Sequence, residues 1–167
     1  MALLGEGGVA AATIDAVAAR AGVSRPTIYR RFRDREALIE WSVEQLVADD
    51  VPTPEKTGDA ERDIVAMLES TIYMLTKTPL GPVLRAVIPE LPHSPALGAF
   101  ANAIGARRRR ALKETLVQAI EASYLSPDTD LDALIDGLTG AIYFRYLMTQ
   151  RPINRRYALT LLRELTR

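Results

Sequence analysis

Six arginines crowd the interval from Arg20 to Arg35 (Arg20, Arg25, Arg30, Arg31, Arg33 and Arg35), and only Asp34 opposes them there. A guanidinium holds phosphate oxygens by charge and presents a planar fork that fits guanine O6 and N7. Thr27 and Tyr29 interleave with these arginines, and their hydroxyls can bond phosphates or base edges. The chemistry on offer is nucleic-acid binding. A bare arginine cluster is also what a solvated surface looks like, so the elements that carry it must decide.

Other chemistry is poorly represented. The chain has no cysteine, which removes disulfides, thiolate metal sites and cysteine nucleophiles. One histidine, His93, excludes a multi-histidine metal site and makes a histidine-based triad a poor expectation. No paired acid and histidine and no nucleophile motif is present, so neither an enzyme nor a cofactor is expected. There is no 18-residue apolar run and no basic leader, which points to a cytoplasmic protein without a membrane partner.

Net charge at first argues against a nucleic-acid partner, since 21 basic residues meet 21 acidic ones. Divided after Arg35, however, the chain is a segment of net +3 followed by one of net −3. Phosphate responds to the local potential and not to the total.

The elements that must position these groups are helical by periodicity, with almost no strand signal. Thr13 caps a short helix with Ile14, Val17, Ala18 and Ala21 on one face. Gly22 breaks it. Ser24 caps a second helix that opens with Arg25 and Pro26, where proline is tolerated. Ile28 and Phe32 point from that helix to the core, and Val23 precedes its cap like a staple residue. Arg25, Thr27, Tyr29, Arg30 and Arg31 are left outside. This is helix-turn-helix spacing, with the second helix as the groove reader. Asp34 caps a third helix through Leu38, Trp41 and Leu46.

Residues 49–58 form a linker by composition. Further helices are expected over 60–77, 82–91, from Leu97 to about Leu125, and over 131–148. Asn154 then caps a last helix carrying Tyr157, Leu161 and Leu165.

The string from Thr13 to Leu38, TIDAVAARAGVSRPTIYRRFRDREAL, closely resembles the DNA-binding domain of TetR-family transcriptional regulators. The stretches from Gly81 to Ile88 and from Ala141 to Leu147 are similar to the C-terminal domain of one large branch of that family. The resemblance implies an all-α homodimeric repressor of nine or ten helices. An N-terminal helix-turn-helix domain would be followed by a helical-bundle domain for ligand binding and dimerisation. The expected division is 1–48 and 59–167.

Residue by residue, the resemblance puts Thr13 and Ser24 at helix-capping, phosphate-facing positions. It puts Arg25, Pro26 and Thr27 at the base-proximal start of the reading helix. Tyr29 matches a tyrosine that packs on the DNA backbone. Arg30 and Arg31 fall on the outer face, Arg31 where a late residue reaches base or phosphate. Arg35 matches a basic residue at the start of the next helix. The implied partners are a double-stranded DNA operator, an unknown small-molecule effector and a second copy of the chain. The resemblance also implies a complete first helix ahead of Thr13. Only Leu3-Leu4-Gly5-Glu6-Gly7 could be its tail, so the expected natural start lies upstream.

Three other groups stand out. Arg107–Arg110 run consecutively inside a long helix, which spreads them around its axis, so a solvated surface with ion pairs is expected. Leu134, Gly137, Leu138 and Ala141, with Leu161 and Leu165 of the last helix, are candidates for the dimer interface, because small residues permit close helix approach. Trp41, Met67, Tyr73, Met74, Phe100 and Tyr143 are candidates for lining a ligand pocket, with simple core as the bland alternative. The alternative function is a helical partner- or ligand-binding module that has lost DNA binding.

Overall fold

The computed structural model describes Leu3, Glu6, Gly7, residues 11–49 and residues 53–167, without side chains at 43, 44, 46–49, 96, 99, 100, 103 and 104. Leu4 and Gly5, and the side chains of Leu46 and Phe100, therefore lie outside the described residues. The described chain is helical, with no strand among the described residues.

The N-terminal helices follow local chemistry. Thr13 accepts the Ala16 N–H at 3.1 Å and opens α1, Ile14–Ala21. Gly22 closes it at φ 65°, in the left-handed region. There Val23 N–H reaches the Ala18 carbonyl and Gly22 N–H the Ala19 carbonyl, a Schellman turn that satisfies the helix end. Helix α2, Arg25–Tyr29, is shorter than the expected run to Arg31. Arg30 and Arg31 continue its hydrogen bonding as a closing turn. Asp34 accepts the Ala37 N–H at 2.8 Å and caps α3, Arg35–Asp49.

Then follow α4 (Ala60–Lys77), α5 (Leu80–Val87), a 3-10 turn over Ile88–His93, α6 (Pro95–Glu121), α7 (Leu131–Phe144) and α8 (Arg155–Leu165). The expected helix over 82–91 begins two residues earlier and ends sooner. Pro89 and Pro92 lack the N–H that would bond back four residues, and the backbone tightens to 3-10 there. Past Phe144 the expected α-helix widens into a π turn, Arg145–Thr149, that Gln150 ends at φ 52°. Asn154 accepts the Tyr157 N–H at 3.0 Å and caps α8.

Two compact units result: residues 1–50 with 77–104, and residues 51–76 with 105–167. Packing thus groups 77–104 with the N-terminal part, unlike the division at 48 and 59, because α5 packs on α3. In the first unit Ile14, Ala18, Ile28, Phe32 and Leu38 form one buried cluster, with Val17 and Ala37 against it. In the second, Ile64, Leu68, Leu75, Leu116, Ile135, Leu138, Ile142 and Leu162 are fully buried. Apolar positions from α4, α6, α7 and α8 thus share one core.

Candidate nucleic-acid interface

Helix α2 is short, so its placement depends on anchors. Ile28 and Phe32 are buried in the first unit's core, which fixes the opposite face toward solvent. On that face Ser24, Arg25, Pro26, Tyr29 and Arg30 are exposed, and Thr27 is half-buried. Tyr29 presents 55% of its surface to solvent. An apolar ring left so open, beside arginines, suits packing against a sugar–phosphate backbone.

Hydrogen bonding orders this face before any partner arrives. Ser24 makes no side-chain cap bond. It does stand at the N-cap of α2, with extended backbone, but its hydroxyl lies 2.9 Å from the Thr27 hydroxyl. Arg30 donates to the same Thr27 oxygen at 3.2 Å. Val23, ahead of Ser24, is 39% exposed.

The six arginines are not equivalent. Arg20 makes a two-bond pair with Glu6, at 2.7 and 3.0 Å, and lowers the Glu6 pKa chiefly through those hydrogen bonds. Arg25 pairs with Asp15 of α1, and Arg33 with Asp34 at 2.8 Å. Arg35 donates its Nε to the Ala12 carbonyl at 3.0 Å, tying the start of α3 to the chain ahead of α1. Arg31 leans back, its guanidinium 4.7 Å from the Trp41 ring centre. The Trp41 ring in turn lies 5.3 Å from that of Phe32. Sequence periodicity missed Asp15: it is exposed on α1, where its carboxylate meets the Nε of Arg25. The observable signal was an acid ten residues ahead of the arginine, across the Gly22 turn.

The expected pocket residues are not gathered in one place. Trp41 belongs to the first unit, beside Arg31. Met67, Tyr73, Met74 and Tyr143 belong to the second. There Met67 and Met74 are buried, Tyr143 is half-buried, and Tyr73 is 51% exposed.

The expected dimer residues also divide. Leu134 and Leu138, at 6% and 0% exposure, face the core of their own protomer, a correction to their place at an interface. Gly137 accommodates Leu165 of the same chain, since a Cβ there would meet Leu165 Cδ1 at 3.1 Å. Ala141 and Leu161 are half-buried. Among the open apolar groups of this unit are Phe144, Met148 and Leu165, and a Cβ at Gly140 would meet open space.

Arg107–Arg110 are not one solvated surface. Arg109 pairs with Asp132 and Asp136 of α7. Arg108 turns inward and donates to the Thr71 hydroxyl of α4 at 2.8 Å. His93 closes the 3-10 turn as an exposed residue.

A helix-turn-helix with a polar, arginine-bearing outer face, ahead of an all-helical bundle, defines a DNA-binding regulator. Residues 1–40 match the family described as "Bacterial regulatory proteins, tetR family", and residues 54–165 match "Tetracyclin repressor-like, C-terminal domain". The chain belongs to the TetR family of transcriptional regulators. An uncharacterised HTH-type transcriptional regulator of Bacillus subtilis, YdeS, is 31% identical over 156 residues, 93% of this chain and 78% of that protein. Among solved structures, the TetR family regulator SCO0332 is 30% identical, with a TM-score of 0.71 over 99% of this chain and 91% of that one. The Bacillus subtilis regulator FadR, solved with stearoyl-CoA, shares the fold at 17% identity and a TM-score of 0.73, over 99% of this chain and 92% of that one. No helix among the described residues is long and apolar enough to cross a membrane.

Proposed function

We propose that this regulator is a ligand-responsive homodimeric repressor of the cytoplasm, binding a palindromic operator through α2 of each subunit. The observation that carries the reading is the face bearing Arg25, Thr27, Tyr29 and Arg30, held outward by the burial of Ile28 and Phe32. A segment of 1–48 would engage DNA, with Thr13, Ser24, Pro26, Arg31 and Arg35 flanking the reading face. Residues 59–167 would bind effector and join the subunits.

Two-fold symmetry then asks for half-sites about 34–36 Å apart, one helical turn or somewhat more. Phe144, Met148 and Leu165 support the dimer, because large apolar groups this exposed gain from being covered by a second copy. The fold shared with FadR, which was solved with stearoyl-CoA, supports a small-molecule effector; the reading places it in the C-terminal unit, among Met67, Met74 and Tyr143. Such a ligand lowers operator occupancy only by preferring the state with the wrong half-site spacing, by a few kcal/mol.

A gel shift with the gene's own promoter region tests this. Binding by the dimer should be sequence-specific and salt-sensitive. Thr27→Ala with Tyr29→Ala should abolish it while dimerisation persists. Absence of specific binding by the unmodified protein would reject the reading.

A further inference from the structure

Arg108 is the feature that DNA reading and dimerisation leave unused. It projects from α6 into the second unit and is half-buried. Its neighbours on the helix are accounted for differently, since Arg109 is held by Asp132 and Asp136. Among the described residues Arg108 has no carboxylate partner, and its one hydrogen bond is to Thr71 Oγ1. That hydroxyl donates its own proton to the Met67 carbonyl at 3.3 Å, so toward Arg108 it acts as an acceptor. A guanidinium carries five N–H donors and stays charged at any physiological pH. Most of those donors meet no acceptor among the described residues.

The surroundings make this costly. Met67 and Met74 of α4 are buried in the same unit, and burial works against the charge of Arg108. Tyr143 of α7 is half-buried in the same unit, where desolvation raises its phenol pKa and the charge of Arg108 opposes the rise. Its O–H is therefore intact at neutral pH and available as a donor. A half-buried cation with no carboxylate partner among the described residues, a donor phenol and the buried methionines of the same unit together call for an anionic partner with an apolar body.

We propose that Arg108 and Tyr143 bind the carboxylate of a small organic acid, with Thr71 holding the guanidinium fork in position. One cation matches one negative charge, and the two parallel donors of the fork match two carboxylate oxygens. The assignment rests on reading the C-terminal unit as the effector domain, and it names the chemical class that domain takes.

The test uses the full chain and matched probes: octanoate against octanol and octanamide, benzoate against benzyl alcohol, and inorganic phosphate. At least one acid should raise the Tm and bind by calorimetry where its neutral analogue does not. Arg108→Met should weaken that binding by about tenfold or more. Arg108→Lys should retain part of it, and Tyr143→Phe should lose severalfold. Without ligand, Arg108→Met should fold with an unchanged or higher Tm, because it removes the unpaired charge.

The proposal is overturned if no acid binds, if acids and neutral analogues bind alike, if Arg108→Met binds the acid as the parent does, or if phosphate alone matches the acids. Operator affinity, measured in parallel, separates this from the repressor reading. An acid that binds through Arg108 yet leaves operator affinity unchanged upholds the anion site and rejects its effector role. A neutral compound that releases the operator equally from the parent and Arg108→Met rejects the anion site and keeps the repressor.

Discussion

The guanidinium of Arg31 lies 4.7 Å from the ring centre of Trp41, and that ring lies 5.3 Å from Phe32. Cation, indole and core phenyl lie in series where the turn after α2 meets α3, the two rings tilted by 51°. The series joins the outer face of the interface to its buried anchor.

Trp41→Leu removes both ring contacts. It should destabilise the N-terminal unit by about 1–2 kcal/mol and weaken DNA binding, since Arg31 loses its support. Urea unfolding followed by circular dichroism checks the first effect. Trp41 is the single tryptophan of the chain, so its fluorescence in the parent protein should change when operator binds.

Asp15 holds Arg25 before DNA does. Asp15→Asn should free Arg25 and remove a negative charge facing phosphate, so operator affinity should rise severalfold at low salt and less at high salt. Fluorescence anisotropy across a salt series measures this. A fall in affinity instead would mean that the pair positions Arg25 for base contact. Arg25→Ala should cost about 1–3 kcal/mol of discrimination if it reads a base.

Asp63 ties the end of the linker to α4. Its carboxylate accepts the Thr57 N–H at 2.8 Å, the Thr57 hydroxyl at 2.7 Å and the Gly58 N–H at 3.0 Å. These bonds, the Thr57 hydroxyl foremost, hold its pKa below the ordinary carboxylate value against the opposing effect of burial. The stabilisation is therefore complete above the unfolded pKa of about 3.9 and is lost as pH falls through the lower folded value. Asp63→Ala should lower stability by about 1–3 kcal/mol at neutral pH and flatten its fall below pH 4. Thermal melts from pH 7 to pH 3 test both.

Phe144 and Met148 are exposed at 57% and 72%. Covering each in a dimer yields about 1.5–3 kcal/mol. The double variant Phe144→Glu and Met148→Glu should sediment as a monomer with unchanged helicity and should lose cooperative operator binding. A dimer of parental affinity would place the interface elsewhere.

The reading motif was legible because its determinants are local. Thr13, Gly22 and Asp34 each act on backbone within a few residues, through a cap bond or a positive φ that needs no tertiary partner. The period of Ile14, Ala18, Ile28 and Phe32 likewise names a buried face without naming what covers it.

What tertiary structure alone decided is where a polar or aromatic side chain goes once helices meet. Four consecutive arginines project about 100° apart around α6. Only the positions of α4 and α7 send Arg109 to Asp132 and Asp136 and Arg108 inward to Thr71. Trp41 joins Arg31 and not the methionines of α4 for the same reason. Leu134 and Leu138 carry the apolar signature of any buried surface, and packing assigned them to the protomer core. Sequence determined which backbone is helical and which chemistry the first segment carries, because both follow from short-range sterics and charge. Packing determined which charges keep partners, because a partner distant in sequence is specified by the fold and not by spacing.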